Sequence, residues 1–397
     1  MRIAFIHKEL KLGTGASFIN DLISNCLQAE GVKVKNFYPK NPLMDAPVHL
    51  KGLANILFFY SLLELKSSIL RYDLVQGTTY TPLAFLPFRI PVVSHFGSTT
   101  QGFLNAVPRS IKSETRLRRI WLELKKAGVI NELNIKTTRP LRDVAEIEKF
   151  VACRASAVIA TSGIVRQDLL AIGVPSEKIY TTHNAIEDYW FENDPVLSAQ
   201  SSLIFLGRIG SDVFTLNLKG LDRLIDLYRS FPEVDKLTVG ITTNARLTAW
   251  MDAAIPRHRF HPNVRKNIIP SLFAGRAGDI LLITSRYEGF SLSLIEGMSR
   301  GLIPVIYAVG IAPEIIKNGE NGFLVTSQQE AKDAIAKILA LPTEARRAIA
   351  AAARKTSERF TARTIAHELV KVYGAVIHAH EKKQVAQVDL DTNDAPA

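Results

Sequence analysis

Read for the spacing of apolar positions, the chain alternates short, continuously apolar runs with longer stretches in which apolar residues recur every three or four positions. The runs predict strands over Arg2–His7, Lys33–Tyr38, Leu74–Gly77, Pro91–Gly97, Ala157–Ser162 and Lys178–Asn184. A second set follows over Leu203–Arg208, Leu237–Thr242, Asp279–Ser285, Ile303–Ala308 and Gly322–Val325. Many of these runs are apolar throughout, as expected when helices cover both faces of a parallel sheet. The helical stretches between them give repeated strand–helix–strand units, hence an α/β class.

The pattern starts afresh twice. Arg2–His7 leads into the turn Lys11-Leu12-Gly13-Thr14-Gly15 and a helix, and Leu203–Arg208 leads into a loop and a helix near Lys219. Between them, Ile186–Ser201 is patternless and polar and reads as a linker. Two doubly wound domains are therefore expected, residues 1–195 and 196–360, followed by a C-terminal helix over 361–383 and a flexible tail over 384–397. Ligands of such sheets bind beyond the carboxyl ends of the strands, which points to a cleft between the domains.

Composition narrows the class further. The 397 residues are 47% hydrophobic and 22% charged, which excludes a disordered or disulfide-stapled chain. Lys and Arg outnumber Asp and Glu by 49 to 38, a surplus that favours anionic partners. Cys26 and Cys153 form no metal- or redox-type pair, so a reducing compartment is expected. The opening strand is too short for a signal-peptide core, and Leu53–Leu70 is interrupted by Glu64 and Lys66, so no spanning segment is predicted.

The densest chemistry runs from Asp279 to Met298. A buried strand ends at Ser285, a loop carries Glu288 and Gly289, and a helix starts near Ser291, where free backbone N–H groups suit a phosphate. Glu288 and Glu296 would stand roughly 8–12 Å apart, about the span from a nucleotide ribose across a diphosphate to its sugar. Both can accept hydrogen bonds from hydroxyls.

This segment resembles the E-x7-E motif of the retaining glycosyltransferases of GT-B fold, family 4 (glycosyl transferases group 1). Further stretches fit in order. Ile204–Arg208 followed by Lys219–Ile225 resembles that family's G-R…K-G element. Pro304–Ile306, Pro313–Ile316 and Asn318–Val325 resemble its closing run, while Val92–His95, Ala157–Ser162 and Lys178–Ile186 resemble strands of its first domain. Ala185 and Ser291 stand where glycine is common in the family, and Ile209–Leu218 is a longer loop than its shortest examples.

The resemblance implies two Rossmann-like domains facing across a cleft, with the C-terminal helix returning to the first. It assigns Arg208 and Lys219 to the donor diphosphate, where two cations stabilise the charge left when the sugar–phosphate bond breaks. By the same carry-over Glu288 and His95 contact the transferred sugar and Glu296 the ribose. Backbone around Gly289, Phe290, Ser291 and Leu292 meets phosphate or sugar, and Gly13, Gly15 and Asn184 complete the donor site. No metal or other cofactor is expected, because the sole Asp-x-Asp triplet, Asp389-Leu390-Asp391, lies in the polar tail and cations fill the metal's role.

A basic stretch runs through Arg109, Lys112, Arg116, Arg118, Arg119, Lys125, Lys126, Lys136, Arg139 and Arg142, with an apolar stripe of Ile111, Leu117, Ile120, Trp121, Leu124 and Val129. Such a helix either packs on a core or lies on an anionic membrane. Nucleic acid is not expected, since no nucleic-acid motif accompanies the charge.

The reading is a metal-independent, retaining hexosyltransferase-type enzyme that uses a UDP- or GDP-linked sugar and a glycan or lipid-linked acceptor. Its expected place is cell-envelope or polysaccharide synthesis, in the cytoplasm or peripherally at the inner membrane face. The rivals are a nucleotide-sugar epimerase, which would convert donor without any acceptor, and a non-catalytic sugar- or lipid-binding relative.

Overall fold

The computed structural model describes residues 1–7, 15–40, 51–107, 115–133 and 139–393. Two six-stranded, wholly parallel sheets form its frame. The first comprises β1 (Arg2–Ile6), β2 (Lys33–Phe37), β3 (Leu74–Thr78), β4 (Val92–Phe96), β5 (Ala157–Ala160) and β6 (Ile179–Thr181), ordered β2-β1-β3-β4-β5-β6. The second comprises β7 (Leu203–Arg208), β8 (Lys236–Ile241), β9 (His258–Pro262), β10 (Ile280–Ile283), β11 (Ile303–Tyr307) and β12 (Phe323–Val325), ordered β12-β11-β10-β7-β8-β9. Strands such as β10 and β11 are buried along their whole length, which is why they read as unbroken apolar runs.

The predicted strands recur with ends shifted by at most a few residues, and one strand, β9, went unpredicted. Its sequence, His-Arg-Phe-His-Pro, buries only Phe260, because β9 is the edge strand of its sheet and carries no apolar run. Strand order reverses between β1 and β3 in the first sheet and between β7 and β10 in the second. Ligands of open α/β sheets gather beyond the carboxyl ends at such switch points.

Contacts divide the chain into one unit of Met1–Thr99, Asp143–Ala185 and Thr361–Ala397 and another of Thr100–Arg142 and Ile186–Phe360. This differs from a single boundary near residue 195. Thr100–Arg142 joins the second unit because the helix Thr115–Lys126 turns Leu117, Ile120, Trp121 and Leu124 into that unit's core. Glu123 pairs with Arg229 at 2.8 Å, and Asn244 Nδ2 donates to the Val129 carbonyl at 2.9 Å. Leu117, Ile120, Trp121, Leu124 and Val129 of the apolar stripe are thus covered by protein, which removes them as a membrane-inserting face, while Ile111 lies outside the described residues. Arg118, Arg119, Lys125 and Lys126 remain exposed to solvent. Arg109, Lys112 and Lys136 lie outside the described residues.

The supposed linker is also built into the second unit. Ile186 and Trp190 are fully buried, and Ile186 N donates to the Phe360 carbonyl at 3.0 Å. The buried Arg300 directs Nη1 at the carbonyls of Trp190, Glu192 and Asn193, at 3.3, 2.7 and 2.9 Å.

The C-terminal helix, Ala362–Asn393, packs Ile365, Ala366, Leu369, Tyr373 and Val376 into one cluster with Ile3, Phe5, Ile23 and Leu27 of the first unit, as the sequence implies. The Tyr373 hydroxyl donates to Gln76 Oε1. The helix runs on to Asn393, through the stretch from residue 384 that was expected to be a flexible tail. Past His380 its Lys, Gln and Ala residues favour helix, and neither Gly nor Pro occurs before Asn393. Asp389 and Asp391 therefore lie on a helix. Among the described residues, no helix is long and apolar enough to cross a membrane.

Candidate functional site

The switch point of the second sheet gathers the predicted chemistry. β10 delivers the loop Thr284–Phe290, and the helix Leu292–Ser299 follows. Two glycines fix this loop where side chains could not fit. Gly220, at φ 65°, lies so close to the loop that a Cβ on it would sit 1.9 Å from the Thr284 carbonyl oxygen. Gly310, at φ 59°, places its would-be Cβ 2.5 Å from the Phe290 carbonyl oxygen, and Ile311 N donates to that oxygen at 3.0 Å. Both positions combine left-handed backbone with close approach, so only glycine is tolerated.

Lys219 ends the helix Val213–Leu218 and precedes Gly220. Its carbonyl accepts from Thr284 Oγ1 at 3.0 Å, while Arg286 N donates to the Leu218 carbonyl at 2.8 Å. The Arg286 guanidinium grips Asp222 through both nitrogens, at 2.9 and 2.7 Å, and the Asn217 carbonyl at 2.6 Å. These bonds lock the Lys219 turn onto the Glu288 loop. Lys219 Nζ then reaches Glu288 Oε1 at 2.6 Å, and Ser285 Oγ donates to the same oxygen at 2.6 Å. An ammonium has three donors, so Lys219 retains capacity for an anion.

Arg208 ends β7, the strand beside β10. It is exposed and makes no hydrogen bond or ion pair among the described residues. A Cβ on Gly207 would stand 3.8 Å from Ser293 Oγ, so this strand end abuts the first turn of the Leu292–Ser299 helix. At that helix start Ser291 adopts φ 76° and ψ 73°, and its buried Oγ has no hydrogen-bond partner among the described residues. Gly289 is buried, Leu292 half-buried, and the Phe290 ring packs edge-on against Phe360 at 5.8 Å, leaving only the backbone of Phe290 for a ligand.

Glu296 sits one to two turns along the same helix and is buried. It belongs to a second cluster, which the sequence did not reveal. Lys266 Nζ lies 2.7 Å from Glu187 Oε1 and 3.2 Å from Glu296 Oε1. Burial pushes the Glu296 carboxyl above its usual range, opposed by Lys266 and reinforced by Glu187. Burial works against the Lys266 charge, but Glu296 and Glu187 outweigh it and raise Lys266. Burial, then Glu187 and Glu296, hold the Tyr189 hydroxyl protonated. Nothing in the local sequence marks Lys266 or Glu187; only Ser285, at a predicted strand end, was within reach of pattern reading.

The remaining candidates lie in the first unit. His95, on β4, is buried, and burial alone lowers its pKa to about 4, so the ring is neutral at ordinary pH. Asn184 is buried and its Oδ1 has no hydrogen-bond partner among the described residues. Gly15 opens the helix Gly15–Ala29, and Gly13 falls outside the described residues.

Residues 203–356 match the family model described as "Glycosyl transferases group 1", which spans the whole switch-point site. The D-inositol 3-phosphate glycosyltransferase of Streptomyces scabiei is 34% identical over 134 residues, which cover 32% of this chain and 28% of that protein. The chain spans about half or less of the length of the curated relatives it matches. Among solved structures, a sucrose-phosphate synthase of Thermosynechococcus elongatus superposes with a TM-score of 0.73 at 17% identity, over 96% of this chain and all of that one. Anabaena HepE in complex with UDP-glucose superposes with a TM-score of 0.64 at 18% identity, over 94% and 100%. These likenesses establish the fold as GT-B.

Proposed function

We propose that the chain is a retaining, metal-independent glycosyltransferase that moves a hexosyl group from a UDP- or GDP-linked donor to a glycan or lipid-linked acceptor. The observation that carries the reading is the convergence of Arg208, Lys219 and Glu288 on one switch point, beside the first turn of the Leu292–Ser299 helix. The family match over residues 203–356 and the UDP-glucose named for HepE support it.

In this reading the second unit binds the donor and the first the acceptor. As the bond between sugar and phosphate breaks, negative charge grows on the departing diphosphate. Arg208 meets it with a forked guanidinium and Lys219 with a point charge, and the free N–H groups of the helix start add fixed dipoles. These groups are in place before the charge appears, which is what lowers the barrier. They also supply the positive charge that a metal would otherwise bring. Glu288, held by Lys219 and Ser285, keeps one oxygen for sugar hydroxyls, and Glu296 accepts from the ribose. His95, neutral in the fold, is assigned to the transferred sugar. Retention is assigned to same-face attack assisted by the departing phosphate, so no protein base is named. The exposed cations of the Thr115–Lys126 helix are assigned to adsorption on an anionic membrane face near a lipid-linked acceptor.

The test is turnover of UDP- and GDP-sugars with the Arg208→Ala and Lys219→Ala variants. Each is expected to lose about 10²–10³ in turnover while keeping a native far-UV spectrum. Near-normal turnover in either variant sinks the reading.

A further inference from the structure

The cluster of Lys266, Glu187 and Glu296 has a composition that itself selects a ligand. The three residues come from three places: the turn after β9, the segment entering the second unit, and the middle of the Leu292–Ser299 helix. Their side chains are only 20, 13 and 9% exposed. Two carboxylates against one ammonium leave one negative charge in excess. A buried group of that sign repels phosphate and attracts hydroxyl hydrogens. Glu187 holds Lys266 by the shorter arm, so the ammonium is anchored from one side and braces Glu296 from the other.

We propose that Lys266, anchored by Glu187, is a positioning residue that holds Glu296 aimed at the vicinal hydroxyls of a nucleotide ribose. The proposal rests on the reading of Glu296 as the ribose contact. Lys266 itself does not touch the ribose. With it gone, the two carboxylates would face each other with no shared cation, and Glu296 would swing away or take up a proton, either of which ends its service as a fixed acceptor.

Calorimetric titration of the full-length chain with UDP and GDP, and with their 2′-deoxy and 3′-deoxy forms, tests this. The wild type is expected to prefer the ribo form of the nucleotide it binds. Lys266→Met should weaken that nucleotide about 10- to 100-fold, the effect of losing hydrogen bonds to a charged group, and erase the ribo preference. Lys266→Arg should restore most of both, which a residue serving only the fold's stability would not require. Should Lys266→Met fail to fold, the double change Lys266→Met with Glu187→Gln removes one charge of each sign, and the same loss of preference is expected. Wild-type preference retained in the lysine variants but lost in Glu296→Gln overturns the positioning role alone. Preference absent from the wild type, or retained in Glu296→Gln, overturns the reading of Glu296 and the proposal with it.

Discussion

Ser291 offers a perturbation whose sign is unusual: its removal should stabilise the protein. The residue holds φ 76° and ψ 73° at the start of the Leu292–Ser299 helix, a conformation that costs a residue with a Cβ roughly 1–2 kcal/mol. Replacement by glycine removes that cost but loosens the unfolded chain by about 0.5–1 kcal/mol, so the backbone gain is about 0.5–1 kcal/mol. The hydroxyl adds a second cost. Ser291 is 5% exposed, and its Oγ is buried without a hydrogen-bond partner among the described residues, an arrangement that costs about 1 kcal/mol at the low end of the range for an unsatisfied polar group. Ser291→Ala, which keeps the strain and removes the hydroxyl, should therefore gain about 1 kcal/mol. Ser291→Gly should gain about 1.5–2 kcal/mol.

For a cooperative unit of about 150–250 residues, 1 kcal/mol moves the melting temperature by roughly 2–4 °C. Scanning calorimetry without nucleotide should then place the variant transitions above wild type, alanine by about 3 °C and glycine by about 5 °C. Repeating the scans with UDP or GDP reads the other half of the bargain. If the hydroxyl and strained backbone are kept for phosphate, the ligand-induced rise should shrink in both variants, since that rise tracks affinity. The reasoning fails if Ser291→Gly melts at or below wild type, or if it melts below Ser291→Ala.

Three further expectations follow from single features. His95 is held at a pKa of about 4 against an ordinary 6.5, so between those values the unfolded chain takes a proton that the fold refuses. Stability from this group is complete above pH 6.5 and is lost as pH falls toward 4, by up to about 3 kcal/mol. His95→Gln should flatten the fall in melting temperature between pH 7 and 5, and an unchanged slope argues against it. Gly220→Ala would drive a methyl group to 1.9 Å from the Thr284 carbonyl oxygen. Soluble expression should collapse, and a variant with wild-type melting would show that the turn is not as tight as described. The solvated cations Arg118, Arg119, Lys125 and Lys126 should adsorb the chain to anionic vesicles by about 1 kcal/mol each, with release near 1 M salt, where screening acts over ~3 Å. Binding that survives high salt would mean insertion of an apolar stripe that the core already buries.

What the sequence makes legible here is what local pattern controls. Arg208 ends a strand, Lys219 stands at a junction between two helices and Glu288 follows a strand end, so the pattern of apolar runs locates them and the parallel topology brings them together. β9 escapes because an edge strand with one buried residue has no apolar run to read. The excursion Thr100–Arg142 escapes for a subtler reason. An amphipathic helix declares that its stripe of Leu117, Ile120, Trp121 and Leu124 will be covered, but its own spacing does not say by which core. The identity of the partner is a tertiary fact.

The Lys266 cluster lies beyond any such pattern. Its members stand 79 residues apart on one side and 30 on the other, each an ordinary charged residue in an ordinary neighbourhood. Only burial sets them apart from the solvated charges around them. A cation that is four-fifths buried between two carboxylates, one of them itself almost wholly enclosed, must have been drawn there against the cost of desolvation. An apolar trio of the same size would pack as well and fold more cheaply. The cluster sits on the same helix whose first turn carries free N–H groups, which divides the helix by charge: its start is electropositive, and its middle sets two carboxylates against one ammonium. In the proposed function, a nucleoside diphosphate would set its phosphates against the start of this helix and its ribose hydroxyls against the middle.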